Sequence, residues 1–168
     1  MKALFFKVVA GLMLVLVLFS ASTFSSQDAL PELKVKAATR ETLAAVYDEV
    51  KDMPAYPDEP FIRMDVFIGE DDDDTNKDIH AVLLVAKEHG HPALRVQIVF
   101  MERRRGFPVI RIARETKSFL CVFENGGLDV RSTTFTAADI DGLAPGLLKA
   151  VRDKKRILGK ASSGRSAE

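Results

Sequence analysis

The chain is short of cysteine: Cys121 is the single one among 168 residues. One cysteine cannot form an intrachain disulfide, so the fold must be stabilised by packing alone. Cys121 lies in an apolar, strand-like stretch, residues 118–123, which offers no neighbour that would stabilise a thiolate. We therefore expect a buried and unreactive thiol, not a catalytic one.

Motifs of cofactor-dependent and hydrolytic enzymes are also missing. The chain contains no glycine-rich dinucleotide fingerprint, no phosphate-binding loop that ends in GKS or GKT, no GxSxG and no HExxH. The sequence therefore predicts no catalytic residue and no cofactor, and its motifs resemble those of no family.

An excess of charge of either sign is absent as well. Lys and Arg together number 24, as do Asp and Glu, which gives a formal net charge of zero. A near-neutral chain has no overall field that would hold it on nucleic acid, so a nucleic-acid partner is not expected.

What the chain does have, at its start, is the arrangement typical of an export signal. Lys2 and Lys7 flank the start of an uncharged apolar run over residues 8–19, and small residues follow at 20–23. The run is shorter than the ~20 residues of a membrane-spanning helix, which favours a signal peptide over residues 1–24. The alternative is an uncleaved segment in which residues 8–24 anchor the chain in the membrane. Both predict an extracytoplasmic protein, either periplasmic, secreted or membrane-attached.

Composition divides the rest of the chain into three parts. Residues 25–38 are polar, contain a proline and are predicted to form a tether. Residues 39–158 carry the apolar periodicity of a single domain. Residues 159–168 lack periodicity, and we expect a flexible polar tail there.

Apolar spacing within the domain predicts helices and strands. A helix is expected from Thr39 to about residue 52, and a strand over residues 61–69. Residues 75–78 fit a capping box, and apolar residues at helical spacing follow it, so a second helix is expected over residues 75–90. Four more strands are expected, over residues 93–102, 107–114, 117–124 and 128–135.

Two local signals refine this assignment. Asn125 and Gly126 predict a tight hairpin turn between the last two strands. Thr136 and Asp139 have the spacing of another capping box, which opens a C-terminal helical region that Pro145 is expected to divide.

The predicted order α-β-α-β-β-β-β-α indicates an α+β fold. The expected architecture is a two-layer sandwich, in which helices cover one face of a mixed, mostly antiparallel five-stranded sheet. The strand–helix–strand unit over residues 61–102 should form a right-handed crossover, with its two strands parallel.

Two groups of residues that could bind metal are predicted not to do so. Residues 70–74 read EDDDD, but no register supplies the sixth-position glycine and twelfth-position glutamate of an EF-hand, which favours a solvated loop. His80, His89 and His91 are the only histidines, and no third ligand is apparent beside the last two. No metal site is therefore predicted.

The face of the sheet opposite the core is the predicted site of function. The alternation that turns apolar side chains inward turns Arg63, Arg95 and Arg111 outward, and Arg131 is placed with them. Guanidinium groups bind planar anions through two parallel hydrogen bonds, so this face fits an acidic protein or a small anion. The alternative is a cross-strand ladder of solvated charges.

The sequence therefore favours a non-catalytic exported domain, a binding or envelope-associated accessory protein. The alternative is an exported enzyme with an unrecognised active site, and the lack of cofactor motifs would make that enzyme a hydrolase.

Overall fold

Two helices and five strands make up the part of the chain that the structure, a computed structural model, describes: residues 30–55, 60–68, 77–104 and 110–164. In chain order they are α1 (Ala37–Val50), β1 (Ile62–Ile68), β2 (Lys77–Glu88), β3 (His91–Arg104), β4 (Ile110–Glu124), β5 (Gly127–Arg131) and α2 (Ala137–Gly164). Neither of these helices is long and apolar enough to cross a membrane. The predicted leader and the acidic residues 70–74 lie outside the described residues.

The five strands form one sheet in the order β1-β2-β3-β4-β5, and every neighbouring pair is antiparallel. Alternate strand residues and the apolar stripes of both helices share a single core, so both helices cover the same face of the sheet. The fully buried members of that core include Leu83, Leu94 and Val96 from the strands and Leu43 and Leu147 from the helices. The predicted α+β fold with a five-stranded sheet is confirmed.

The predicted second helix is wrong, because residues 77–88 form strand β2. β2 pairs antiparallel with both β1 and β3, so the predicted parallel crossover is wrong too, and the sheet is not mixed. The apolar run over residues 81–86 fits both periods: Ala81, Leu83 and Val85 enter the core, and the residues that alternate with them are apolar as well. Such a run does not distinguish a buried strand from a helix by spacing alone.

A two-residue turn at His89 and Gly90 joins β2 to β3. The sequence predicts the end of a helix at this point. His89 and Gly90 both have positive φ, 48° and 85°, and Glu88 pairs with His91 across them. Positive φ at both central positions is the geometry of a two-residue hairpin turn. The predicted turn at Asn125 and Gly126 has the same geometry, with φ of 51° and 76°, and is confirmed.

Residues that the sequence divides between two strands, 107–114 and 117–124, belong to the single long strand β4. Its pairing with β3 shifts register between Phe100 and Met101, where a bulge interrupts the ladder. A bulge bends the strand and increases its twist without ending it. The number of strands therefore remains five although one predicted helix has become a strand.

The two helices are fixed at their N-termini by carboxylates. Thr136 and Asp139 form the predicted capping box at the start of α2: the Asp139 amide donates to Thr136 Oγ1 (3.2 Å), and the Thr136 amide donates to the Asp139 carboxylate (2.9 Å). At the start of α1, Asp141 from α2 accepts hydrogen bonds from the Lys36 amide (3.1 Å) and the Thr39 hydroxyl (2.5 Å). The hydrogen bond from Thr39 holds the pKa of Asp141 below its ordinary value.

Two predictions about the ends of the domain differ from the structure. Pro145 lies inside α2 and does not divide it, and the helix continues to Gly164, past the predicted start of the tail. Part of the predicted tether runs along the outer edge of β5: the Leu33 amide donates to the Val130 carbonyl (2.7 Å), and Glu32 forms a bridge with Arg131.

Candidate binding surface on the outer face of the sheet

We call the sheet face opposite the helices the outer face. On β1 the core residues are Met64 and Val66, so Arg63, Asp65 and Phe67 project outward. The same alternation on β3, with Leu94, Val96 and Ile98 in the core, turns Arg95 and Gln97 outward. On β5, Leu128 and Val130 belong to the core, which leaves Asp129 and Arg131 on the outer face.

The register aligns three of the four predicted arginines across the whole sheet. Arg63 pairs with Leu84, Leu84 with Arg95, Arg95 with Leu120, and Leu120 with Arg131. We call these five residues the arginine row. Neighbouring strands lie ~4.8 Å apart, so the backbone positions of consecutive arginines in the row are about 10 Å apart. A leucine separates each arginine from the next.

The fourth arginine, Arg111, lies beyond the bulge and is not part of the row. Its guanidinium carbon lies 5.4 Å from the centre of the Phe67 ring. Phe67 also stacks on His80, with ring centres 4.9 Å apart and planes inclined by 19°. The His80 ring in turn shares a hydrogen bond with the Asp65 carboxylate (Nε2 to Oδ1, 3.0 Å). We call these residues, together with Arg63, the Asp65 cluster.

Arg63 belongs to both groups, because it donates two hydrogen bonds to Asp65, of 2.8 and 3.0 Å. Burial of the Asp65 carboxyl opposes its ionisation, but the hydrogen bonds from His80 and Arg63 outweigh this effect and hold its pKa well below the ordinary range. Asp65 is therefore an anion at any physiological pH.

The other arginines of the row also have acidic neighbours. Arg131 donates to Asp129, two residues back on the same strand, over 3.4 Å. Burial lowers the pKa of Arg95, while the charge of Glu88 opposes that effect. The outer face is thus a surface of mixed charge, less basic than the pattern of arginines alone predicts.

The centre of the outer face is apolar. Four buried apolar residues lie outside the main core and on outward positions of the three middle strands: Val82, Ala93, Leu120 and Val122. The edge strands β1 and β5 instead carry Arg and Asp at their outward positions. Because these four residues are already buried in the single chain, a partner at this face would contact mainly the charged side chains around them.

No family model, no curated protein and no solved structure matches this chain. Its function must therefore be argued from the residues themselves.

The histidines and the cysteine can now be placed. His89 and His91 lie at the β2–β3 turn and each faces a different carboxylate, Glu88 at 3.7 Å and Glu124 at 3.6 Å. Over the ranges that the structure describes, no group of three or more His, Cys, Asp or Glu side chains could hold a metal ion. Cys121 is fully buried, and burial raises the pKa of its thiol far above the ordinary value.

Sequence reasoning missed two members of the Asp65 cluster. The helix predicted over residues 75–90 includes His80, and no pattern in the sequence pairs this residue with β1 until β2 is known to be a strand. Phe67 did carry a signal, because the alternation that turns Arg63 and Asp65 outward also turns this large apolar side chain outward, where it is 38 % exposed.

Proposed function

We propose that this chain is an exported, non-catalytic domain that binds an acidic partner through the arginine row. The observation that carries the proposal is the register, which brings Arg63, Arg95 and Arg131 from three separate strands into one line. Leu84, which lies between Arg63 and Arg95 and is partly exposed, offers apolar contact to the same partner, whereas Leu120 is buried.

Ion pairs within the protein are compatible with such binding. Arg63 and Asp65 are about 40 % and 36 % exposed, and Arg131 and Asp129 are 31 % and 41 % exposed. Pairs this exposed contribute only ~0–1 kcal/mol, so an incoming carboxylate can share or replace the internal partner at small cost. A guanidinium also has five donors, more than one carboxylate uses.

The alternative of an exported hydrolase would draw on the Asp65 and His80 pair, a carboxylate–imidazole hydrogen bond on the outer face. Nucleophilic catalysis by such a pair needs a hydroxyl or thiol within hydrogen-bond reach of the imidazole. The described contacts of His80 are to Asp65 and Phe67. The pair therefore supports a positioning role better than a catalytic one, and binding remains the proposal.

We predict that changing Arg63, Arg95 and Arg131 together to Gln weakens binding to an acidic polymer by at least roughly tenfold, because three charge-assisted contacts are lost. The measurement is fluorescence anisotropy with labelled poly-glutamate at low salt. The matched control changes Lys149, Lys154 and Arg156 of α2 to Gln, which alters net charge equally on exposed positions of the helical layer.

The control variant should bind poly-glutamate within about twofold of the unmodified protein. Both variants should keep their circular dichroism spectra, because the exposed ion pairs of Arg63 and Arg131 add little stability and Gln keeps a polar side chain at the half-buried position 95. If both variants lost the same affinity for poly-glutamate, the loss would be due to net charge and not to the arginine row. Failure of the unmodified protein to bind poly-glutamate would remove the proposal altogether.

Export is the second part of the proposal, and it rests on Lys2, Lys7 and the apolar run over residues 8–19. We expect cell fractionation to find the protein outside the cytoplasm. Intact-mass measurement should give a chain that begins near Thr23 or Ser26 where the leader is cleaved. A cytosolic protein that begins at Met1 would show that the segment is not an export signal.

A further inference from the structure

The two edges of the sheet differ. The outer edge of β5 is covered by residues 31–33, through the hydrogen bond from the Leu33 amide to Val130 and another from the Ser132 amide to the Pro31 carbonyl (3.1 Å). β1 pairs with β2 on one side, and among the described residues no strand pairs with its other side. The backbone donors and acceptors of such an edge can accept a further strand.

The sequence along β1 is complementary to itself when reversed. Its outward residues are Arg63, Asp65 and Phe67, and Phe61 precedes the strand at the position that continues this alternation. Its inward residues begin Ile62, Met64, Val66. When β1 is paired with a reversed copy of itself about Met64, the residues opposite each other are complementary. An aromatic residue lies opposite an aromatic one, a cation opposite an anion, and an aliphatic residue opposite an aliphatic one.

We propose that two copies of this chain form a symmetric dimer by antiparallel pairing of β1 with β1, about a two-fold axis at Met64. In this register Arg63 of each copy lies opposite Asp65 of the other, and Phe61 lies opposite Phe67. Directly opposite side chains in an antiparallel pair have β-carbons ~4.5–5.5 Å apart, which suits both contacts. A two-fold axis makes each contact occur twice.

Charge also selects this register over its neighbours. An axis at Asp65 would place the two Asp65 carboxylates opposite each other, and an axis at Arg63 would oppose the two guanidinium groups. Like charges directly opposite one another are destabilising. Arg63 and Asp65 disfavour pairing of β1 with an unrelated apolar strand, which protects this edge from aggregation. The same two charges are complementary to a second copy, so they also make the pairing specific.

The dimer would use side chains of β1 that are partly exposed in the single chain. Phe67 is 38 % exposed, and Arg63 and Asp65 already form an ion pair along the strand. In the dimer the two pairs within the copies are exchanged for two pairs between them, so no charge loses its partner, and Phe67 is covered. The proposal does not rest on acidic-partner binding, since it is argued from the edge and sequence of β1, although Arg63 belongs to both surfaces.

A charge-exchange series tests the register. The full chain is expressed and purified with its leader processed, or left in place, as the cell does it. Its mass in solution is then measured by size exclusion with light scattering over a range of protein concentrations. We expect a dimer for the unmodified chain. Arg63→Asp should weaken dimerisation by on the order of tenfold or more, because two attractive pairs become repulsive. Asp65→Arg should act in the same way.

The double variant with Arg63→Asp and Asp65→Arg restores opposite charges across the axis and should recover the dimer. The matched control exchanges charge in the same way on β5, through Arg131→Asp, where residues 31–33 cover the edge; it should leave the dimer unchanged. A monomeric unmodified protein at about 100 μM, or single variants as dimeric as the parent, would overturn the proposal. A double variant that stays monomeric would overturn the register.

Hydrogen exchange of the unmodified chain provides a second test that does not require any variant to fold. Amides of residues 61–68 should exchange more slowly at high protein concentration than at low concentration, because pairing between copies protects the backbone on the side of β1 away from β2. Residues 127–131, at the covered edge, should exchange at the same rate at both concentrations. Equal exchange of residues 61–68 at both concentrations would contradict the dimer.

Discussion

Replacing Val96 or Ile98 with Asp is expected to abolish folding. Both side chains are completely buried in β3, the middle strand of the sheet, and both belong to the core beneath the helices. Val96 pairs with Leu83 on one side and Phe119 on the other. No described neighbour in that layer could compensate a carboxylate, so each variant buries an unpaired charge and loses apolar contact. The cost should exceed ~5 kcal/mol, comparable with the whole stability of a small domain.

The measurement is urea unfolding followed by circular dichroism, with Gln97→Glu as the matched control. Gln97 lies between the two core positions in sequence, but its side chain points to the outer face and is only partly buried. We expect that control to change the free energy of unfolding by less than about 1 kcal/mol. A folded Val96→Asp variant with near-normal stability, together with an unfolded control, would mean that the alternation in β3 is inverted.

This alternation is the part of the fold that the sequence predicts best. In the middle of β1 and β3, polar residues (Arg63 and Asp65, Arg95 and Gln97) alternate with aliphatic core residues, so period two assigns the two faces without knowledge of the strand partners. The arginines of these strands were therefore placed on the correct face. Their alignment was not predictable, because the row passes through Leu84 on β2 and Leu120 on β4.

The failure at β2 has a different physical origin. This strand lies beside β1 and β3 and carries apolar residues on both faces, such as Leu83 in the core and Val82 on the outer face. A strand with two apolar faces has no alternation to detect. The signal that could have identified it is the turn: His tolerates positive φ more readily than most residues, and His89–Gly90 provides two such positions in succession.

The end of β5 was misplaced for a third reason, which concerns side-chain competition for the backbone. The sequence predicts a strand over residues 128–135, but the strand ends at Arg131. Ser132 then accepts hydrogen bonds from the amides of Thr134 (3.1 Å) and Phe135 (2.9 Å). A hydroxyl that binds nearby amides gives the backbone an alternative to the strand ladder, and residue composition alone does not reveal this.

Ser132→Ala, which removes a single oxygen atom, should therefore lower the free energy of unfolding substantially. The Ser132 side chain is buried, and its hydroxyl also donates to the Ser118 carbonyl on β4 (2.6 Å). Alanine would leave the buried Phe135 amide and the Thr134 amide without their acceptor, and the Ser118 carbonyl with one donor fewer. Burying unsatisfied groups costs ~1–3 kcal/mol, and we expect a loss of about 2 kcal/mol.

For a domain of this size, that loss should lower the melting temperature by roughly 5–10 °C. The neighbouring Thr133→Ala provides the control, because the Thr133 side chain is exposed and its removal should change stability by less than ~0.5 kcal/mol. Equal melting temperatures for the two variants would show that water replaces the lost hydroxyl. A large drop for Ser132→Ala alone would establish that this turn, which connects β4, β5 and the start of α2, depends on one buried hydroxyl to hold the helical layer on the sheet.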